Sequence, residues 1–312
     1  MPAALAALQE QCEVWQWEQP TAPQIADLTE WLRDAEGLFV AGNMAVNEQL
    51  LAAAPNLKVI VQSAVGYDNI DIQACTNHKI PFGNTPGVLV ETTADIAFGL
   101  LLTAARRIHE GWDWVRAGKW QTGLQFPYGV DLYDKTVGIV GMGAIGSAVA
   151  RRAQASGMKV IYNNRRPRPD QAALQAEYRT FDQLLAEADF IVVLTPLTPE
   201  SRGLFGAREF ARMKPSAYFI NAARGAVVDT QALYTALLEK QIAYAALDVT
   251  DPEPLPAEHP LLQLPNILIV PHIGSATTET RNKMALLAAQ NLLAGLAEKP
   301  LVTCVNPEVN YR

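Results

Sequence analysis

The chain has 312 residues, 49% hydrophobic and 18% charged, with a net charge of −7; this is too long for one average domain and enough for two, each able to bury its own core. The acidic balance argues against a nucleic-acid or anionic-membrane surface, and Cys12, Cys75 and Cys304 lie too far apart for a structural zinc, as expected of a reducing compartment. The longest apolar helical stretch, residues 96–105, is too short to span a bilayer, and no signal-peptide pattern opens the chain, so a cytoplasmic protein is expected.

In chain order, residues 3–11 look helical and 12–17 alternate like a strand. A helix over 24–34, a strand over 37–41, a helix over 47–53, and strands over 57–62 and 80–84 follow, an alternation that means a parallel sheet with helices on its faces. A long apolar helix over 90–108, continued through Trp112, Trp114 and Trp120 to a turn over 121–128, belongs to neither sheet. It reads equally well as an interface helix or as plain core. The apolar strand ending at Val140 then runs into Gly141-Met142-Gly143-Ala144-Ile145-Gly146, and a helix without a breaker follows. In this strand, turn and helix, Gly141 allows the tight turn, Gly143 lets backbone approach a pyrophosphate, and Gly146 lets helix and strand pack closely. The phosphates would sit on free N–H groups at the helix start, those of Ala144 and Ile145 included. Strands over 159–162, 189–194, 217–221, 243–248 and 266–270 build a second parallel sheet, with helices over 207–213 and 230–240 between them and a last helix over 277–297.

About twenty residues past the glycines, where NAD-binding folds present an acid to the ribose hydroxyls, this chain carries Asn163-Asn164-Arg165-Arg166-Pro167-Arg168. A carboxylate there would repel a 2′-phosphate; guanidinium groups bind one through paired hydrogen bonds. The expectation is a preference for NADP over NAD of at least about tenfold in kcat/KM, on the order of 1.4 kcal/mol. Arg165 would be the main contact, with Arg166 or Arg168 in support. Asn164 can still bind a ribose hydroxyl, so NAD remains usable.

In open parallel sheets, ligands sit outside the carboxyl ends of the strands. The residues just past strands there are Arg224, Asp248, Glu253 and His272. An arginine forks onto a carboxylate and polarises a neighbouring carbonyl; an imidazole changes charge near neutral pH and can donate a proton; a carboxylate orients the ring and favours its protonated form. His78, His109 and His259 have no such setting and are assigned to structure or surface.

Asn221-Ala222-Ala223-Arg224-Gly225, Leu247-Asp248-Val249 with Glu253-Pro254, and Pro271-His272-Ile273-Gly274-Ser275-Ala276-Thr277 resemble the signatures of the D-isomer-specific 2-hydroxyacid dehydrogenases. The stretch from Ser63-Ala64-Val65-Gly66-Tyr67 to Thr278-Glu279-Thr280-Arg281-Asn282 most resembles their glyoxylate/hydroxypyruvate reductase branch. The resemblance implies an α/β protein with two doubly wound parallel-sheet domains. A Rossmann dinucleotide-binding domain (89–281) is inserted in a flavodoxin-like substrate domain (1–88 and 282–312), with the active site in the cleft and the subunits paired as a homodimer. It also implies that Arg224 binds substrate, Glu253 partners the histidine, His272 is the acid/base, and the N–H groups of Val65 and Gly66 hold the substrate carboxylate. Asp248 would meet the nicotinamide carboxamide, and Thr195 and Pro196 would line the adenosine side. The expected reaction is reduction of a small 2-oxo acid, with no metal; the alternatives are a sugar-acid reductase acting on 2-ketogluconate and a dinucleotide-sensing corepressor.

Two departures from the family pattern carry expectations of their own. Asp134 stands where relatives often have glycine, and aspartate tolerates a left-handed turn. Relatives also begin with a strand that lies between the second and third, whereas Met1 falls at the first helix. Either the natural chain begins upstream of Met1, or Trp15, Trp17 and their neighbours shift to close the gap.

Overall fold

The computed structural model describes residues 2–19, 21, 23–42, 44–121, 123 and 126–309. Met1, residues 122, 124 and 125 of the 121–128 turn, and the tail at 310–312 lie outside these described residues. Helices α1 (Pro2–Gln9), α2 (Ile25–Asp34), α3 (Glu48–Ala53) and α4 (Ile72–Asn77) alternate with strands β1 (Gly37–Val40), β2 (Val59–Gln62) and β3 (Phe82–Gly83). Then come α5 (Val90–Arg106), α6 (Ile108–Arg116), β4 (Thr136–Val140), α7 (Ala144–Ala155), β5 (Lys159–Asn163), α8 (Gln171–Leu174), β6 (Glu177–Tyr178), α9 (Phe181–Glu187) and β7 (Phe190–Val193). The chain finishes with α10 (Ala207–Phe210), β8 (Tyr218–Asn221), α11 (Thr230–Leu238), β9 (Tyr244–Leu247), β10 (Ile267–Ile269) and α12 (Thr278–Leu296).

These elements form two compact units, 1–89 with 277–312, and 90–276. The chain returns to the first unit at Thr277, ahead of the 282 read from the sequence, because Thr277 caps α12 through Thr280 N and the whole helix then packs on β1 and β2.

The first unit holds a parallel sheet in the order β1-β2-β3. All four β2 residues are buried, with Leu50, Leu51, Ile60 and Phe82 on one side and α1 and α12 on the other. Residues 12–17 are not a strand, contrary to their alternation. A strand needs a ladder partner; here Trp15 and Trp17 lie on Trp31 instead, with ring centroids 6.4 and 6.3 Å apart. Among the described strands, β1 pairs only with β2, so Trp15 and Trp17 do not close the sheet on its other side.

The second unit is a seven-stranded parallel sheet, β10-β9-β8-β7-β4-β5-β6, whose order reverses between β7 and β4. Alternate strand residues fill two cores. Val137, Ile139, Val192 and Ile220 pack on one face with α5 and α7; Val140, Val193, Phe219 and Leu247 pack on the other with α9 and α11. Helix α5 is therefore core, with Ala97, Leu101 and Ala105 fully buried. It ends where Arg107 turns left-handed at φ 53°, and α6 leaves Ile108, Trp112 and Val115 exposed. Asp134 is left-handed at φ 59°, as the departure from glycine anticipated. No described helix is long and apolar enough to cross a membrane.

Candidate active site

The reversal of strand order puts the loops after β4 and β7 side by side, where doubly wound sheets bind ligands. Gly141 takes φ 103°, and a Cβ there would lie 2.6 Å from Thr195 N. A Cβ on Gly146 would lie 2.5 Å from Gly141 O. Both positions exclude any side chain. A Cβ on Gly143 would meet open space, so bare backbone faces outward at the residue that caps α7. The first N–H groups of that helix, those of Ala144 and Ile145 included, have no acceptor within it, and the cradle they make with Gly143 fits a dinucleotide pyrophosphate.

The polar run after β5 divides by role. Asn164 clamps the glycine turn, its Oδ1 accepting from Met142 N at 2.7 Å and its Nδ2 donating to Met142 O at 3.3 Å. Arg168 donates to Met142 O at 3.0 Å and Ser147 Oγ at 3.1 Å, and grips Asp170 at 2.7 and 2.6 Å. That hydrogen-bonded pairing holds the Asp170 carboxyl below the usual carboxylate range. Arg165 and Arg166 are exposed. A hydrogen bond with Thr198 holds the Glu200 carboxyl low, and Arg165 adds a weaker pull. Pro196 O accepts from Ser201 Oγ at 2.7 Å, which fixes the loop that Thr195 begins.

At the carboxyl end of β8, the Asn221 side chain folds the following turn, accepting from Ala223 N and donating to Arg224 O, both at 3.0 Å. The Arg224 guanidinium donates to Ala223 O at 2.9 Å. Asp248, just past β9, is 2% exposed and accepts from Ile273 N at 2.7 Å and Gly274 N at 2.9 Å. Burial raises its carboxyl above the usual range, although both N–H groups and the nearby His272 oppose the rise. The same aspartate receives His272 N at its backbone oxygen, 2.9 Å away, so one residue sets the course of the whole histidine loop. His272 itself is held at φ 52°.

From the loop between β9 and β10, Glu253 Oε1 meets His272 Nδ1 at 2.7 Å. Burial pushes the Glu253 carboxyl up; the hydrogen bond and charge of His272, Thr250 N and the Arg224 charge together bring it below the usual range. Arg224, Glu253 and His272 thus share one electrostatic field, and Nε2 of His272 is the ring nitrogen that Glu253 does not use. Val65 and Gly66 lie in the other unit, in the loop after β2.

Sequence reading missed Asp170 as the partner of Arg168 and Asn221 as the brace of the Arg224 turn. Opposite charges two residues apart, and an amide at a strand end before a turn, were the available signals.

The model of the D-isomer specific 2-hydroxyacid dehydrogenase NAD-binding domain matches residues 98–274. A glyoxylate reductase of Korarchaeum cryptofilum is 42% identical over 98% of this chain and 93% of its own. The glyoxylate reductase/hydroxypyruvate reductase of Mus musculus is 48% identical over 94% of this chain and 90% of its own. An NADPH-dependent glyoxylate/hydroxypyruvate reductase of Sinorhizobium meliloti, solved with NADP and malonate, superposes with a TM-score of 0.91 at 35% identity, covering 100% of this chain and 96% of that one. With the Rossmann order of its larger sheet, its glycine turn and its His272–Glu253 pair, the chain belongs to the D-isomer specific 2-hydroxyacid dehydrogenase family.

Proposed function

We propose that the protein reduces small 2-oxo acids, glyoxylate and hydroxypyruvate first, to 2-hydroxy acids with a nicotinamide dinucleotide, preferring NADPH, and that it works as a cytoplasmic homodimer. The observation that carries the reaction is the 2.7 Å contact between His272 Nδ1 and Glu253. It fixes the ring through one nitrogen and leaves Nε2 to deliver a proton to the oxygen of the carbonyl being reduced. The bound cofactor supplies the hydride. Arg224 draws the substrate carboxylate and the developing alkoxide to its guanidinium, while Val65 and Gly66 receive the carboxylate on backbone N–H groups. Asp248, besides holding the histidine loop, takes the carboxamide end of the cofactor, and Thr195 and Pro196 lie along its adenosine side. On this reading residues 1–89 with 277–312 are the substrate unit.

Support for NADPH comes from the exposed pair Arg165 and Arg166 past β5, with no acid at the strand end, and from relatives whose names include NADPH-dependent reductases. Support for the homodimer comes from α6, where Ile108, Trp112 and Val115, 52%, 62% and 45% exposed, fall on one stripe at helical spacing. Absorbance at 340 nm with a panel of 2-oxo acids and both cofactors tests the reading directly. Turnover of glyoxylate and hydroxypyruvate with NADPH is the expected result; no oxidation of either cofactor with any 2-oxo acid would overturn it.

A further inference from the structure

In the loop leaving β2, three consecutive carbonyls each accept a hydrogen bond. Thr85 N donates to Ala64 O at 2.9 Å, Asn84 Nδ2 to Val65 O at 2.9 Å, and Gln62 Nε2 to Gly66 O at 3.2 Å. In a planar trans peptide, the carbonyl of one residue and the N–H of the next point in opposite directions. Each of the N–H groups of Val65, Gly66 and Tyr67 therefore points away from the donor that holds the carbonyl before it, and none of them donates to a group among the described residues. Successive N–H groups facing one way form a seat for an anion.

The two amides that hold the loop are built in. Gln62 is 4% exposed and Asn84 is 8% exposed. Gln62 also donates to Asn69 Oδ1 at 3.3 Å, and Asn69 in turn donates to Met44 O at 2.7 Å. The Asn84 backbone carbonyl accepts from Thr303 Oγ1 at 2.6 Å. The arrangement leaves the buried Gln62 Oε1 and Thr85 Oγ1 without hydrogen-bond partners among the described residues. A buried oxygen without a partner is unfavourable, and the hydrogen bonds made by the same amide's donor offset that cost. A hydrophobic side chain of the same size would avoid that cost but would release Gly66 O.

We propose that Gln62 and Asn84 are positioning residues for the substrate carboxylate. They touch no substrate, but by tying the carbonyls of Gly66 and Val65 they aim the N–H groups that receive it, and they set the KM for the 2-oxo acid. This rests on the reading that Val65 and Gly66 bind the carboxylate, and two readouts separate the two ideas. Oxalate, a carboxylate probe that cannot be reduced, should shift the backbone amide resonances of Val65 and Gly66 in the unaltered enzyme loaded with NADPH. Unmoved resonances there would remove the carboxylate reading itself. In Gln62→Met the KM for glyoxylate and the inhibition constant of oxalate should rise together by about tenfold or more, while kcat stays within about threefold and NADPH affinity and melting temperature hold. Unchanged KM and oxalate inhibition in a folded Gln62→Met enzyme would overturn the positioning role. If that variant does not fold, Asn84→Ala, which releases only the Val65 carbonyl, is read by the same criteria.

Discussion

Replacing Glu253 by Gln keeps the shape of the His272 contact and removes its charge, so the change in the pH profile measures what the carboxylate does. A hydrogen bond to a charged group contributes about 1.5–3 kcal/mol. The His272 side chain is 41% exposed and that of Glu253 is 28% exposed, so solvent screening places the pair near the lower end of that range. About 1.4 kcal/mol corresponds to a factor of ten in rate. Glu253 is held below the usual carboxylate range, so it is ionised throughout, and the stability it contributes disappears only as pH falls through its folded value. The part of kcat/KM that depends on the Glu253 charge is therefore fully present at neutral pH and is lost only on the acid side. In Glu253→Gln kcat/KM should be about tenfold lower with saturating NADPH across pH 5.5 to 9.5, where the Glu253 charge is present in the unaltered enzyme. His272→Ala should lose about two to four orders of magnitude in kcat with NADPH affinity nearly intact. A Glu253→Gln profile that overlays the unaltered one would refute the coupling, and near-normal turnover by His272→Ala would refute the proton donor.

Arg165→Ala should raise the KM for NADPH about tenfold, on the order of 1.4 kcal/mol, and barely alter that for NADH; equal use of both cofactors by the unaltered enzyme would sink the assignment. Arg168→Ala should instead weaken both cofactors to a similar degree, because its guanidinium holds Met142 O and Ser147 Oγ rather than facing outward, and fluorescence titration with each cofactor distinguishes the two arginines. Gly146→Ala forces a methyl to within 2.5 Å of Gly141 O, so it should lower the melting temperature and weaken dinucleotide binding, at a cost of about 1–3 kcal/mol. Trp112→Glu places a charge on the exposed α6 stripe and should turn a dimer into a monomer in sedimentation velocity; an unaltered enzyme that sediments as a monomer would contradict the homodimer.

Strand ends were legible because a buried parallel strand is a short apolar run, and the residue just past it must sit at the sheet's carboxyl edge. This placed Arg224, Asp248 and His272 correctly without any knowledge of their contacts. Residues 12–17 show the limit of the same rule: alternation marks a segment that suits a sheet, but a strand exists only where a neighbour offers its ladder, and no local pattern encodes that neighbour. The break at Arg107 was hidden for a related reason. Nothing in Ala105-Arg106-Arg107-Ile108 forbids a continuous helix, and the left-handed φ of 53° is paid for by contacts distant in sequence, where Val130 N donates to Ala105 O at 2.8 Å.

The basic run past β5 carries this argument into the site. Three arginines within four residues announce a phosphate by composition alone, yet the structure treats them unequally. Arg168 is compensated by Asp170 and spends its remaining donors on the glycine turn, whereas Arg165 and Arg166 remain exposed. Charge clustering reports how many cations are near; the hydrogen bonds decide which of them are still available to a ligand. On the proposed reading cofactor discrimination rests on Arg165 and Arg166, while Arg168 and Asn164, which both hydrogen-bond Met142, brace the glycine turn that would serve either dinucleotide.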